Sequence, residues 1–253
     1  MTVARADLVG VVLAAGAGTR LRPLTLERPK AMCPVANVPL VDHAIARVNR
    51  HVSAVAVNVH GSQQMLRDHV AGRVHVSVEE VERLGTAGAL GRLRPWIEGR
   101  HVLVHNADSL LDDDLTALLD GWDGARPRLL VRTEDHPSDF GHHRFLGVSL
   151  LPSAIAVTLP DERCGLYDLV WQPAYSAGRL EIVEATGESI DCGTAADYLR
   201  ANLHLSGRAN VVADDAVVEG SITRCVIWPG ARVERGERLT DAIRTPFTTV
   251  DGS

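Results

Sequence analysis

The run Leu8–Leu13 carries no charge and breaks directly into Ala14-Ala15-Gly16-Ala17-Gly18. A short apolar strand that ends in glycines and is followed by helix-period sequence opens a βαβ unit. The same alternation recurs through the first 205 or so residues. Further strands are predicted at Ala54–Val59, Val74–Val78, His101–His105 and Leu129–Arg132, and later at Phe145–Leu151 and Leu180–Glu184. Leu40, Val41, Ala44, Ile45 and Val48 recur at helical spacing, as do Leu115, Leu118 and Leu119. Helices are also expected around Leu166–Tyr175 and from Thr194 to Leu205. The fold class is therefore α/β, with a mostly parallel sheet flanked by helices over residues 1–205.

From about Gly207 the pattern changes to single aliphatics separated by Gly, Ala and turn residues. Val212, Val218, Ile227, Val233 and Leu239 stand six residues apart except for one step of nine. A six-residue step marks a left-handed β-helix, in which each side of a triangular coil contributes one inward aliphatic. Ile227-Trp228-Pro229-Gly230-Ala231-Arg232-Val233 is the best single match. About two coils fit into 206–253, fewer than such a stack needs to stand alone. The extension is expected to lean on the first domain or on another subunit, making a homo-oligomer through the tail. An irregular antiparallel tail is the other reading.

A chain of 253 residues with 45% hydrophobic and 23% charged residues can bury a full core. A net charge of -6 argues against a nucleic-acid or membrane-surface partner, because both reward a basic face. Cys33, Cys164, Cys192 and Cys225 form no zinc or CxxC spacing, which suits a reduced, cytoplasmic setting. Arg5 before the apolar run Leu8–Ala17 imitates a short signal peptide, but Asp7 and the glycine pattern at the end of the run oppose that reading.

The sharpest signal runs from Leu13, Ala14, Ala15 and Gly16 through Gly18, Thr19 and Arg20 to Pro29-Lys30. Glycines after a strand let backbone N–H groups approach phosphate oxygens, and Arg20 and Lys30 add fixed positive charge. The third glycine of a dinucleotide fingerprint is missing. Of the chain's Lys and Arg residues, 26 in all, only Lys30 is a lysine. An ammonium differs from a guanidinium in being a compact charge that can follow an oxygen through a reaction.

This segment resembles the signature of the nucleotide-sugar pyrophosphorylases, the sugar-1-phosphate nucleotidyltransferases with a Rossmann-like core. The similarity runs from residue 8 to about 205, and the tail is similar to that of mannose-1-phosphate guanylyltransferases. The resemblance implies that Arg20 and Lys30 are catalytic, gripping the phosphates of an NTP during in-line attack. It implies that Leu13, Ala14, Ala15, Gly16, Gly18 and Thr19 bind nucleotide.

Glu80-Val81-Glu82-Arg83-Leu84-Gly85-Thr86-Ala87-Gly88 is similar to the family's base-binding element, with Glu80 as reader and Glu79 or Glu82 as the alternatives. Gly85 and Gly88 would then open the backbone to the base, and Thr86 would cap the next helix. An ionised carboxylate only accepts hydrogen bonds, which favours guanine, with its two adjacent donors. Asn106-Ala107-Asp108 and Asp191-Cys192-Gly193-Thr194 match the family's two aspartate elements, which implies Asp108 and Asp191 as ligands of Mg²⁺ or Mn²⁺. Acceptor contacts are expected from Asn106, Gly141, His143, Arg144 and Gly147. The middle of the chain departs from the family. Phe140-Gly141 is followed by His142-His143-Arg144 where a Glu-Lys-Pro element is usual, and the chain has no second lysine. A basic solvated loop, or a zinc site at His136, His142 and His143, are other readings of that stretch.

The expected reaction joins an NTP to a sugar-1-phosphate-like acceptor, with GTP and a mannose-like acceptor favoured, and releases pyrophosphate. The alternatives are a non-catalytic nucleotide-sugar sensor and a cytidylyltransferase acting on a non-sugar phosphate.

Overall fold

Residues 3–252 are described by a computed structural model. Its largest sheet has seven strands: β1 (Leu8–Leu13), β2 (Val55–His60), β3 (His75–Glu79), β4 (His101–Asn106), β5 (Arg128–Ser138), β6 (Gly141–Leu151) and β7 (Glu181–Glu184). Their order across the sheet is β7-β5-β6-β4-β1-β2-β3. Neighbours pair in parallel except at β6, which runs antiparallel to both β4 and β5. The sequence-predicted strands match these within a residue or so at most ends. The exception is the β5–β6 hairpin, whose outer half the apolar pattern did not reveal. Residues 134–144 there are mostly polar and exposed, and backbone pairing carries the strands beyond the apolar run.

Two compact units divide the chain. One holds Met1–Gly16 and Ala44–Ser189, the other Ala17–His43 and Ile190–Ser253. The boundary expected at 206 is thus not where contacts divide, because the second unit takes in the early stretch 17–43 as well as the tail.

In the first unit the core is built from the sheet and the elements laid on it. Val9, Val11, Val102 and Val104 of the central strands meet Ala87 and Leu90 of the helix Gly85–Arg92, all nearly or fully buried. Truncating Leu90 to alanine would cost about 2–5 kcal/mol on this geometry. The predicted helix near Leu166 is present from Tyr167 to Ser176, its first five residues wound as a π-helix. Register decides where function can sit. Leu13 lies level with Asn58 on one side and with Asn106 on the other. The carboxyl ends of β1, β2 and β4 thus form one edge, where open α/β sheets place ligands.

In the second unit the helix Ala195–Leu205 starts at Thr194, whose side chain accepts the Asp197 N–H. Short strands follow. Val211 pairs in parallel with Val226, and Val226 with Ile243; Val217 pairs with Arg232, and Ser221 with Arg238. Cys225, Ile227, Ala231, Val233 and Ala242 form the small core, with Val212, Ala216, Ile222 and Leu239 against it. Val218, expected inside, is exposed, and Ala216 takes an inward place. The strand Ala242–Arg244 then pairs antiparallel with Thr249–Asp251. Among the described residues no helix is long and apolar enough to cross a membrane.

Candidate active site

In the first unit a cavity of about 210 Å³ opens at the carboxyl edge of the sheet. Leu13, Ala15 and Gly16 form one wall, Gly85 and Thr86 another, and Asn106 and Asp108 a third. Sequence motifs far apart in the chain meet here. A Cβ added at Gly16 would meet nothing within 4 Å, so no protein atom requires glycine at that position. The Ala107 N–H donates to the Leu13 carbonyl at 3.0 Å, tying the turn that carries Asp108 to the end of β1.

Asn58 and Arg83, which the sequence reading did not single out, and Glu79, which it gave as an alternative to Glu80, line this cavity. Asn58, 4% exposed, accepts the Ala14 N–H at 2.7 Å through Oδ1. Its Nδ2 donates at 2.7 Å to Oε1 of Glu79, which is 1% exposed. The other Glu79 oxygen accepts the Leu84 N–H at 2.9 Å. Arg83 Nε donates to the Ala15 carbonyl at 2.8 Å and Gln63 Nε2 to the Gly16 carbonyl at 3.2 Å. The glycine loop is thus held by its N–H on one face and by its carbonyls on the other.

Glu80 does not take the place expected of it. Glu80 is exposed and outside the cavity wall, whereas Glu79, one residue earlier, lies in it. The argument for guanine needs a carboxylate edge offered to the base. Glu79 has one donor on each oxygen, Asn58 Nδ2 and the Leu84 N–H, so only the second lone pair of each remains for a ligand. Gly88 is also corrected. A Cβ there would fall 2.1 Å from the Glu162 carbonyl oxygen, and one at Gly91 would fall 1.9 Å from that of Pro160. These glycines let the 160–164 backbone lie on the helix instead of opening it to a base. Thr86 is no cap either. The helix begins at Gly85, and the Thr86 hydroxyl accepts the Leu166 N–H at 2.7 Å.

A second cluster lies wholly within the second unit. Gly18 adopts φ 63°, a left-handed conformation that favours glycine, and its carbonyl accepts from Thr25 Oγ1 at 2.8 Å. Thr19 opens the short turn that carries Arg20. Arg20 Nη2 lies 3.3 Å from one oxygen of Asp191 and Lys30 Nζ 3.5 Å from the other. Gly193 makes room for this arrangement, since a Cβ there would come within 3.0 Å of the Arg20 guanidinium. The expected Arg20, Lys30 and Asp191 are therefore brought together, with the aspartate bracketed by two cations.

The acceptor set is split. Gly147, at φ 85°, sits against Asn106 and Ser109, where a side chain would collide with the Ser109 hydroxyl. Gly141, His143 and Arg144 belong instead to the outer β5–β6 hairpin. Gly141 turns it at φ 67°, His143 contacts Thr133 Oγ1 at 3.2 Å, and Arg144 pairs with Glu134 at 3.3 Å. None of the three lines the cavity. Among the described residues no three His, Cys, Asp or Glu side chains converge as a metal site, which removes the support for zinc at His136, His142 and His143.

One buried group beside the cavity has its titration displaced. His105, on β4, has burial pushing its imidazole down to about 4, opposed by its contact with the Asn106 carbonyl at 2.7 Å.

Residues 9–145 match the family model described as Nucleotidyl transferase. An N-acetylmuramate alpha-1-phosphate uridylyltransferase of Caulobacter vibrioides is 32% identical over 154 residues, 56% of this chain and 64% of that protein. The Bifunctional protein GlmU of Methanococcus vannielii is 31% identical over 132 residues, 52% of this chain and 31% of that one. The chain thus spans less than two thirds of either relative's length. A solved structure from Thermus thermophilus, named mannose-1-phosphate geranyltransferase, superposes with a TM-score of 0.71 at 17% identity, over 97% of this chain and 95% of that one.

Proposed function

Because the chain belongs to the nucleotidyl transferase family, we propose that it joins the nucleoside monophosphate part of an NTP to a sugar-1-phosphate-like acceptor and releases pyrophosphate, making an NDP-sugar. The observation that carries this reading is the cavity at the sheet edge, where the glycine loop meets Gly85, Thr86, Asn106 and Asp108. Its 210 Å³ lies below the roughly 300–1,000 Å³ of pockets that enclose a whole ligand. It would receive one part of a nucleotide and leave the rest to other groups.

In the proposed reaction an acceptor phosphate oxygen attacks the α-phosphorus of the NTP in line. The bond from that phosphorus to the oxygen bridging to the β-phosphate breaks, and pyrophosphate leaves with the electron pair. Such a step is mostly positioning and charge stabilisation. Arg20 and Lys30 supply the charge, and the backbone of Ala15, Gly16, Gly18 and Thr19 supplies N–H donors, while Leu13 and Ala14 shape the loop, the Ala14 N–H being held by Asn58. Gly85 and Thr86 face the nucleoside, and Asn106 and Gly147 the acceptor.

Asp108 and Asp191, the two aspartates that the family resemblance assigns to the metal, are each a hard oxygen donor in a partly exposed position, the donor type that Mg²⁺ or Mn²⁺ takes. When bound, such an ion would neutralise charge on the triphosphate. Asp191 would then exchange its contacts with Arg20 and Lys30 for the ion. The parallel pairs of 206–253 support reading that stretch as a left-handed β-helix-like extension, which we assign to self-association. Four free cysteines support a reducing compartment, the cytoplasm.

The test is pyrophosphate release and product mass for each of ATP, CTP, GTP, UTP and dTTP with a pool of hexose 1-phosphates. One NTP and acceptor pair should turn over in Mg²⁺ or Mn²⁺ and stop in excess chelator. Lys30→Arg should lower turnover about a hundredfold with the fold kept, because a planar fork cannot replace a point charge at a moving phosphate. No pyrophosphate from any pair in either metal would sink the reading.

A further inference from the structure

The stretch that carries Lys30 is gripped along its length by residues from the end of the chain. The Glu27 carboxylate accepts from the Thr245 hydroxyl. The Arg28 guanidinium carbon stands 4.4 Å from the centre of the Trp228 ring. The Pro34 carbonyl accepts from the Tyr198 hydroxyl, which in turn accepts from Trp228 Nε1 at 2.9 Å. The Ala36 N–H donates to Asn202 Oδ1 at 3.0 Å, and Asn37 Nδ2 donates to the Val212 carbonyl at 2.9 Å. Lys30 lies between the second and third of these five holds, and its side chain is 12% exposed.

Trp228 is the hub. It is 1% exposed and meets the stretch twice, directly at Arg28 and through Tyr198 at Pro34. Arg28 Nε is buried with no hydrogen-bond partner, so the ring face is what receives that side of the guanidinium. Only Pro29 separates Arg28 from Lys30, and proline's fixed φ transmits the placement of one residue to the next.

We propose that Trp228 is a positioning residue for Lys30: through Arg28 and Tyr198, the C-terminal extension sets where the chain's one ammonium stands. The kinetic consequence rests on the role proposed above for Lys30, but the placement itself does not. The extension is then part of the catalytic apparatus as well as a surface for self-association.

The lone lysine makes the experiment direct. Protein grown on lysine labelled with ¹³C at Cε has a single such resonance, that of Lys30. Arg28→Met and Trp228→Leu should each shift that resonance and narrow it as the side chain gains freedom. On unlabelled protein both should lower kcat about tenfold with KM for the acceptor within about twofold, the pattern of a lost transition-state contact. Trp228→Phe keeps a ring face and should recover most of kcat. Arg100→Met, which removes a guanidinium 5.6 Å from the Trp96 ring, should change neither readout. An unaltered Lys30 resonance in both Arg28→Met and Trp228→Leu overturns the proposal, whatever the kinetics. Should Trp228→Leu fail to fold, Arg28→Met alone decides. A wild type that releases no pyrophosphate undoes the proposed function and leaves the resonance to judge the placement.

Discussion

Glu79 accepts at both oxygens, and that sets a limit on what can replace it. Asn58 must spend Oδ1 on Ala14, so only its NH₂ group can face Glu79, and the backbone N–H of Leu84 faces the other oxygen. Glutamine would turn an NH₂ toward one of these donors. Glu79→Gln should therefore lower unfolding stability by about 1–3 kcal/mol, read from urea denaturation, while Glu80→Gln on the exposed neighbour changes it little. Equal stability in the two variants would mean that the Asn58 chain does not hold the loop. His105 gives a pH dependence. Its folded pKa, about 4, lies below the 6.5 of an ordinary histidine. The unfolded chain binds a proton that the folded chain refuses in that window. The contribution is complete above about pH 6.5 and is lost as pH falls toward 4, by up to about 3 kcal/mol. His105→Gln should flatten the fall of Tm with pH across that window relative to wild type. At this scale the sequence was legible where chemistry is rare: one lysine, two aspartates in motifs, glycines after a strand. Asn58 was not read, although an amide inside an apolar strand is a signal that could have found it. The choice between Glu79 and Glu80 was not legible, since one residue of strand end reverses which side chain turns inward.

Two sets of glycines have opposite reasons to be glycine. Gly16 has open space around the position of a Cβ, and its φ lies outside the left-handed region. Gly16→Ala should leave Tm within about a degree or two of wild type and raise the NTP KM about tenfold, by keeping phosphate from the loop. Gly91 faces the opposite test, since its Cβ would press on the Pro160 carbonyl. Gly91→Ala should cost about 1–3 kcal/mol of stability, visible as a lower urea midpoint. If Gly16→Ala proved the more destabilising of the two, the loop would be structural and not a ligand cradle. Gly85, Gly88 and Gly91 stand three residues apart, the spacing of one helix face, a signal that the base-binding reading of Gly85 and Gly88 passed over. What lay against that face was not legible, because the 160–164 segment that covers it has no periodic signature of its own. The outer β5–β6 hairpin was missed for a related reason: its pairing is carried by backbone hydrogen bonds, to which a hydrophobic pattern is blind.

The mostly parallel character of the main sheet was legible because apolar strands alternate with helix-period segments; the strand order and the antiparallel β6 were not read. Nor was the division into units. Apart from Arg20 and Lys30, expected at one site with Asp191, nothing in the pattern of residues 17–43 says that their contacts lie with 190–253, since many of those contacts run through single side chains, among them Tyr198, Asn202 and Trp228. Ending the chain at 205 should therefore do more than remove a tail. It would leave Arg28 without its ring and Asn37 without the Val212 carbonyl. The truncated protein should melt at a lower temperature by circular dichroism and lose nearly all turnover even where it stays folded. Wild-type kcat from residues 1–205 would show that the tail is dispensable to the chemistry.

The holds between 27–37 and the end of the chain also bear on how such a protein can be inherited. A recombination that exchanges only the tail between relatives would pair one lineage's Arg28 and Pro34 with another's Trp228 and Tyr198, and the graft would have to find its fit anew. Exchanging 17–43 together with 190–253 carries both halves of every hold across. Chimeras cut the second way should keep their activity more often than those cut at 206, and in descent the two distant stretches should change in step, as if they were one exon written in two places.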